Sequence, residues 1–353
     1  MSKPDNHFHS HGLFAPFRAL SQSFRGNWRR VIPGLLISAL AIVAILYLVD
    51  LDRMIDALRM ADYRFVALMF LMTLIWLLVR TIVWRTLLQE QATYKQVFMT
   101  VNEGYLLNNV LPFRLGEVGR AFLLGRKANL EFMRVFSTIL IERALDVAFS
   151  AGLLLSALSF VVGAAWASQA AIAAGSLVLV GLGVLYLLAR YRDWTQNQVE
   201  RLARHWTILQ GILRTQVPAF FAGLAALTNG KRFLRVVFWV AVNWFVAIIQ
   251  FYFILLAFFP QPKLLWAAFT LGVVTLGIAA PSSPGAVGVL ELAMVGALSV
   301  FGLDPSAALA AALTAHMANY LITGIIGVYA LAQDGLTLSG VYKNVQDISP
   351  DEL

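Results

Sequence analysis

VFWVAVNWFVAIIQFYFILLAFF, residues 237–259, carries no charge along its length, and neither does VIPGLLISALAIVAILYLV, residues 31–49. About 20 consecutive apolar residues in an α-helix cross the hydrocarbon core of a bilayer. Working outward, further apolar runs fall near 65–84, 135–162, 170–189, 264–280, 286–303 and 306–331. Hydrophobic residues make up 59% of the chain and charged residues 13%, against about 25% charged in a soluble domain. A soluble protein of this size could not bury so many such runs. The sequence predicts an all-α polytopic membrane protein of about eight transmembrane segments, some of them broken or re-entrant.

The formal net charge of +8 would suggest nucleic acid in a soluble protein. Here the basic residues cluster between apolar runs, which fits membrane orientation and anionic lipid instead. Residues 1–30 form a basic tail with Arg18, Arg25, Arg29 and Arg30, and the loop after the first run, DLDRMIDALRMADYR, balances acids against bases. The positive-inside rule then places the N-terminus in the cytoplasm. A transmembrane domain follows over 31–332, with a cytoplasmic tail over 333–353. Arg80, near the inner end of the second run, is expected to snorkel to the interface. There is no cysteine, so no disulfide or thiolate chemistry. No signal peptide is visible. His7, His9 and His11 alternate in the polar tail and imply no metal site, and the terminal PDEL departs from a retention signal at its first position.

The piece VFMTVNEGYLLNNVLPF, 97–113, is too polar for an ordinary span, and basic residues flank both its ends. A re-entrant pair of short helices satisfies this, because broken backbone at membrane depth survives only inside protein or beside a wet cavity. A second break, PSSPG, separates the short runs at 264–280 and 286–303, which are either two spans or two half-helices. The segment 190–214 is polar and reads as a surface helix; 218–230 is apolar but too short to span.

PFRLGEVG begins at Pro112 and PSSPGAVG at Pro281, so P-x-x-x-G-x-V-G recurs at an offset of 169, close to half the chain. Paired interruptions of this kind mark internal repeats and the binding site in transporters. Pro112, Gly116, Gly119, Pro281, Pro284, Gly285 and Gly288 are the expected helix-breaking positions, since proline stops a helix and glycine admits close approach. A helix starting after such a break points free N–H groups at an anion. Arg114 and Arg120 add guanidinium forks that match phosphate oxygens. The alternative reading is a cytoplasmic loop with orienting arginines, which does not account for Glu117.

ILIERALDVAFS puts Glu142 and Asp146 on one helix face at i,i+4, with Arg143 and Asp146 at i,i+3. Charges at that depth are costly unless paired or wet. One arginine cannot neutralise two acids, so Arg114 or Arg120 is expected to complete the set, either as a structural ion network or as a lining for a headgroup. His316 and Asn319 share a face in LTAHMANYLITG, with Tyr320 beside them; they serve either a headgroup or a helix–helix hydrogen bond. Glu291 lies just after the second break. Together these acids suit a zwitterionic or aminoacylated headgroup, with arginines holding phosphate and acids holding an amine. No metalloprotease, Walker, nucleophile-elbow or dinucleotide motif occurs, so no catalytic residue and no cofactor is assigned.

LPFRLGEVGR, ERALDV and APSSPGAVGVLE resemble the lysylphosphatidylglycerol synthase transmembrane region family, also described as a flippase-like domain, over roughly residues 30–332. The matching positions are Asn108, Asn109, Pro112, Arg114, Gly116, Glu117 and Arg120, then Glu142, Arg143 and Asp146, then Pro284, Gly285, Gly288 and Glu291. The second break is less glycine-rich than the family's usual version. The resemblance implies an inner-membrane protein whose better-known relatives move aminoacylated phosphatidylglycerol between leaflets, with aminoacyl transfer in a separate soluble domain that this chain has no room to hold. The expected function is movement of an anionic, zwitterionic or aminoacylated lipid headgroup. A membrane lipid or glycan transferase and a non-transporting scaffold are the alternatives. The expected partners are membrane lipids, either phospholipid or polyprenyl-phosphate lipid, and not nucleic acid.

Overall fold

The computed structural model describes residues 35–111, 115–161, 190–203, 207–279 and 283–338, together with 169, 176, 180–181, 183–184, 186–188 and 340. The N-terminal tail, most of the C-terminal tail, Pro112, Arg114 and Pro281 lie outside the described residues, as does much of the run at 170–189. The described residues contain helices and no strand. They are α1 (Leu35–Leu48), α2 (Leu51–Met60), α3 (Tyr63–Leu87), α4 (Tyr94–Val110), α5 (Leu115–Ala128), α6 (Phe132–Val161), α7 (Arg192–Ala203), α8 (Thr207–Thr228), α9 (Gly230–Phe258), α10 (Leu264–Ala279), α11 (Val289–Ser299) and α12 (Pro305–Gln333). Among them α3, α9 and α12 are each long and apolar enough to cross a membrane unaided. α1 and α2 form a pair bent by 83°, the bend fixed where the Asp50 carboxylate caps α2 by accepting from the Asp52 and Arg53 N–H groups.

α3 and α9 lie antiparallel along their whole length. Asp62 N–H donates to Ala257 O at one end. In the middle, the Gln250 amide donates to Thr73 Oγ1 and the Asn243 amide to Trp76 O. At the far end Arg235 pairs with Glu90. Ordinary side chains would not hold two helices in apolar surroundings, where lipid tails compete as well as leucine does; interhelical hydrogen bonds and close packing do.

The segment read as re-entrant is a hairpin. The Gln96 amide, at the start of α4, donates to Lys127 O at the end of α5, so both ends lie on one face. Midway, Gly104 and Gly116 pack backbone to backbone: a Cβ on Gly116 would collide with Gly104 O, and one on Gly104 with the Arg120 side chain. Gly116 and Gly119 thus sit within α5 as packing positions, Gly119 against Leu107, rather than in the break as expected. α10 and α11 form the second hairpin. Phe301, just beyond α11, packs on Trp266 and Phe269 near the start of α10. α11 has 11 residues, about 16 Å at 1.5 Å per residue. That is half a bilayer core; α10, with 16 residues, reaches about 24 Å, also short of the full core. Between them Gly285 has φ +66° and Gly288 φ +85°, conformations that a β-carbon would strain.

α12 shows how the hairpins are arranged. Near its C-terminal end Lys127 at the base of the first hairpin bridges Glu103 and Asp334. Its N-terminal end, at Asp304, follows the base of the second hairpin. Between these ends His316 meets Gly285 O and Thr323 meets Asn109. The hairpins therefore enter from opposite ends of α12 and their tips meet at its middle. This is the layout of an inverted repeat with broken helices, and it accords with the 169-residue offset of the two breaks. Most of the apolar segment at 218–230, read as too short to span, is the C-terminal part of the longer α8, which packs on α6 through Gly223 against Arg134 O.

Gly104→Val should cost about 1–3 kcal/mol by overpacking the hairpin, lowering the melting temperature of the detergent-purified protein. Gly296→Ala, where nothing stands within 4 Å, should leave it unchanged or raise it slightly. Equal melting of both variants would contradict the close hairpin contact.

Candidate functional site

α3, α5 and α6 bring six charges together. α6 supplies Glu142, Arg143 and Asp146, as the i,i+3 and i,i+4 spacing required. Arg80 on α3 grips Asp146 with both guanidinium arms at 2.8 and 2.6 Å and also contacts Glu142. Arg120 on α5 holds Glu142 at 3.0 Å and lies 4.0 Å over the ring of Trp84. Arg143 reaches Glu142 at 3.1 Å, Glu117 at 3.3 Å and Asp146 at 3.4 Å. Three cations face three anions, and the set is neutral.

Two placements bear on the sequence expectation. Arg80 does not snorkel: only 3% of it is exposed, because Asp146 and Glu142 offer a partner nearer than the interface. Arg120 completes the Glu142 set, as one of the two readings expected; at 2% exposed it does so as a structural counter-charge behind the wall rather than as a group facing a headgroup. Glu142 is buried likewise. Arg143, Glu117 and Asp146 keep a face toward a cavity of about 470 Å³.

That cavity lies where the hairpin tips meet. The first tip contributes Asn108, Asn109, Leu111 and Glu117, and the second Ile278, Ser283, Gly285 and Leu290. α12 adds His316, Asn319 and Tyr320. Trp244, Ala247, Phe251, Leu271 and Val274 from α9 and α10 make an apolar side opposite the charges. Asn243 and Gln250 also line it; they recur at i,i+7 within the cleanest apolar run, a signal that could have marked them from sequence.

At each tip one amide of the helix start is already taken. Gly116 N–H donates to Asn108 Oδ1 at 2.9 Å, and Gly288 N–H to Glu291 Oε2 at 2.7 Å. Each first turn also carries an acid, Glu117 or Glu291. The expectation of two anion-binding helix ends is therefore not met at these two amides. Glu291, 4% exposed, turns its other oxygen to His316 Nδ1 at 2.5 Å, and His316 Nε2 meets Gly285 O at 3.0 Å. Tyr320 stacks on His316 and fills the space a side chain at Gly285 would need. Ser38 on α1 accepts from Ser283 N–H. The second tip is thus held by hydrogen bonds, the first by an ion network. Of the expected set, Glu117, Arg143, Asp146, His316 and Asn319 line the cavity, while Arg120, Glu142 and Glu291 stand directly behind it.

The sequence profile described as the lysylphosphatidylglycerol synthase TM region matches residues 31–327, and the chain belongs to that family. It is 24% identical to a UPF0104 membrane protein of Methanothermobacter thermautotrophicus, over 86% of this chain and 96% of that one. A UPF0104 membrane protein of Methanocaldococcus jannaschii is 21% identical over 84% and 93%. Glycosyltransferase AglD of Haloferax volcanii is 24% identical over 91% of this chain but only 57% of its own length. No solved structure matches the chain significantly.

Arg80→Met should destabilise by about 3–5 kcal/mol, because it strands a buried carboxylate. Adding Asp146→Asn restores two cations against two anions and should recover at least half of the loss. Arg53→Ala, whose side chain is 74% exposed, should stay within about 0.5 kcal/mol. Denaturant unfolding in micelles measures all three. A double variant no more stable than Arg80→Met would show that charge balance is not what the network supplies.

Proposed function

We propose that this multi-pass membrane protein carries a lipid headgroup from one bilayer leaflet to the other. The observation that supports this most directly is the cavity at the meeting point of two broken hairpins entering from opposite ends of α12. A site at the repeat interface, reached alternately from either face, is how such folds transport. The polar side of the cavity suits a headgroup. The apolar side from α9 and α10 suits acyl chains, which lose about 0.8 kcal/mol for each methylene exposed to water. The sequence carries no phosphate-binding nucleotide loop, so movement is passive or driven by an ion or potential. In this reading Glu117, Arg143, Asp146, His316 and Asn319 contact the headgroup, and Arg120, Glu142 and Glu291 position them.

Sidedness follows from charge. Arg85, Lys95, Arg126, Lys127, Arg134, Lys231, Arg232 and Arg235 lie toward the end of the molecule where Lys127 meets Asp334; toward the other lie fewer bases, Arg53, Arg59, Arg64 and Lys263, offset by Asp50, Asp52, Asp56, Asp62 and Asp304. We place the basic end, and both termini, in the cytoplasm of a bacterial-type inner membrane. Since the chain has no cysteine, Asn129→Cys tests this cleanly: a membrane-impermeant maleimide should label it only after the membrane is opened, and labelling in intact cells would reverse the assignment.

Transport is tested in proteoliposomes holding fluorescent phosphatidylglycerol, phosphatidylethanolamine and glycolipid, with an impermeant quencher outside. Protein should speed exchange of at least one lipid several-fold over protein-free vesicles. Glu117→Gln and Asn319→Leu should reduce that rate several-fold with melting preserved. A folded protein that exchanges none of the panel would refute the reading. The name of the Haloferax relative favours one alternative, group transfer, and formation of a glycosylated lipid from an activated sugar donor would select it.

A further inference from the structure

His316 stands between two oxygens. Its Nδ1 lies 2.5 Å from Glu291 Oε1 and its Nε2 lies 3.0 Å from Gly285 O. A neutral imidazole has one N–H, which can face only one of them. If that N–H points at Gly285, Nδ1 turns a lone pair to the carboxylate. If it points at Glu291, Nε2 turns a lone pair to the carbonyl. Both contacts are hydrogen bonds only when one further proton is present, on the ring or on the Glu291 oxygen facing it. The other Glu291 oxygen accepts from Gly288 N–H at 2.7 Å, which holds the carboxylate in place. This count of protons follows from the positions of the four atoms. Neighbouring charges set the pH at which the proton leaves and do not alter the count.

The titratable and charged groups facing the pair come from several elements. Tyr320, one turn along α12, stacks on the ring. Across the cavity stand Arg80 on α3, Tyr105 on α4, Glu117 on α5, and Arg143 and Asp146 on α6. The residues of α9 and α10 that line the cavity are uncharged, and α1 meets the break through Ser38, Ala41 and Ile42. His316 is 9% exposed and borders the cavity, so a proton can reach the ring through it.

Loss of the proton has a mechanical consequence. A hydrogen bond to an ionised carboxylate is stronger than one to a carbonyl, so the remaining N–H stays with Glu291 and Gly285 O loses its donor. That carbonyl belongs to the second break, whose Ser283, Gly285 and Ala286 are cavity wall. Ala286 has φ +59°, a conformation costly for a residue with a side chain and kept only where its surroundings impose it. The His316 contact next to it is one of those constraints. Ser283 N–H remains on Ser38 and Gly288 N–H on Glu291, so movement is confined to the residues between.

We propose that His316 and Glu291 form a proton site that docks the second break onto α12 when occupied and frees it when empty, so that passage through the cavity is gated by one proton. The gating rests on the transport reading; the docking does not. The docked state binds one proton more than the freed state. Docking therefore holds at low pH and is lost as pH rises, the freed-to-docked ratio growing by up to about tenfold per pH unit.

The chain has no cysteine, so spin labels can be placed at Val287→Cys beside the break and Ile325→Cys on α12, both exposed positions. Pulsed electron paramagnetic resonance on the full chain in lipid nanodiscs then measures their separation from about pH 5 to about pH 8. One population at the acid end should give way to a second as pH rises. Glu291→Gln offers Nδ1 an N–H without an added proton and still offers Gly288 an oxygen, so it should keep the docked population throughout. His316→Phe keeps the ring stack and removes both contacts, so it should show the second population throughout; if it does not fold, the Glu291→Gln comparison decides alone. Distances that ignore pH in the unaltered chain, or that shift with pH in Glu291→Gln as well, overturn the proton site. In proteoliposomes lipid exchange should rise with pH, and in Glu291→Gln it should be several-fold slower and indifferent to pH. A pH-dependent distance change in a protein that exchanges no lipid refutes transport and keeps the docking. Exchange that ignores both pH and Glu291→Gln refutes the gating and keeps transport.

Discussion

Everything in this molecule follows from holding six charges inside a bundle of apolar helices. Ionised groups leave water only when partners replace the lost solvation. Glu142 meets this demand from three sides, through Arg80, Arg120 and Arg143. Those arginines come from three different helices, so satisfying one carboxylate fixes how α3, α5 and α6 sit together. Nothing in a lipid-like interior would otherwise favour one helix arrangement strongly over another. The ion network acts as a register pin, and it sits at the edge of the cavity because α5 is half of a hairpin that ends there.

The hairpins solve the complementary problem, unpaired backbone. A chain that breaks in mid-membrane exposes N–H and C=O groups with no water to meet them. Here the protein supplies the partners itself: Asn108 for Gly116, Glu291 for Gly288, His316 for Gly285 and Ser38 for Ser283. Asn108, Ser283, Gly285 and His316 also line the cavity, with Glu291 behind them. The side chains needed to tolerate the break are thus the ones that give the site its chemistry, which is why broken segments and binding sites coincide.

Much of this was legible in the sequence, and the failures have a common cause. The charge-free runs gave the helices to within a few residues, and the i,i+3 and i,i+4 spacing in ILIERALDV gave the Glu142, Arg143 and Asp146 cluster. Asn102, Glu103, Asn108 and Asn109 marked a re-entrant segment, because their polarity breaks a local pattern. The residues misplaced were those whose environment is set by distant parts of the chain. Arg80 lies seven positions before the end of its helix, within snorkelling reach, and only Asp146, 66 residues away, decides otherwise. The sequence reads Arg120 both as a phosphate ligand and as a partner for the acids of α6, and only the contact with Glu142, 22 residues on, decides for the second. Local periodicity shows where a charge is, whereas its partner is a tertiary fact. Asn243 and Gln250 were missed for another reason: two amides hardly dent the hydropathy of their run, although their spacing puts them on one face.

A neutral ion network also suits the kinetics of a carrier. A site with a net charge would hold an opposite headgroup by a Coulomb interaction that low dielectric magnifies, and tight binding slows release. Hydrogen bonds to neutral groups contribute only about 0.5–1.5 kcal/mol each, because each replaces a bond to water. Several of them can select a headgroup by the number and placement of its polar groups, yet each gives way singly as water enters from the far side. Pairing the arginines inside the protein keeps their structural value while weakening their pull on the passenger. Under the proposed transport the ion network stays intact, and the lighter hydrogen bonds around Gly285, His316 and Ser283 are the ones whose exchange costs least.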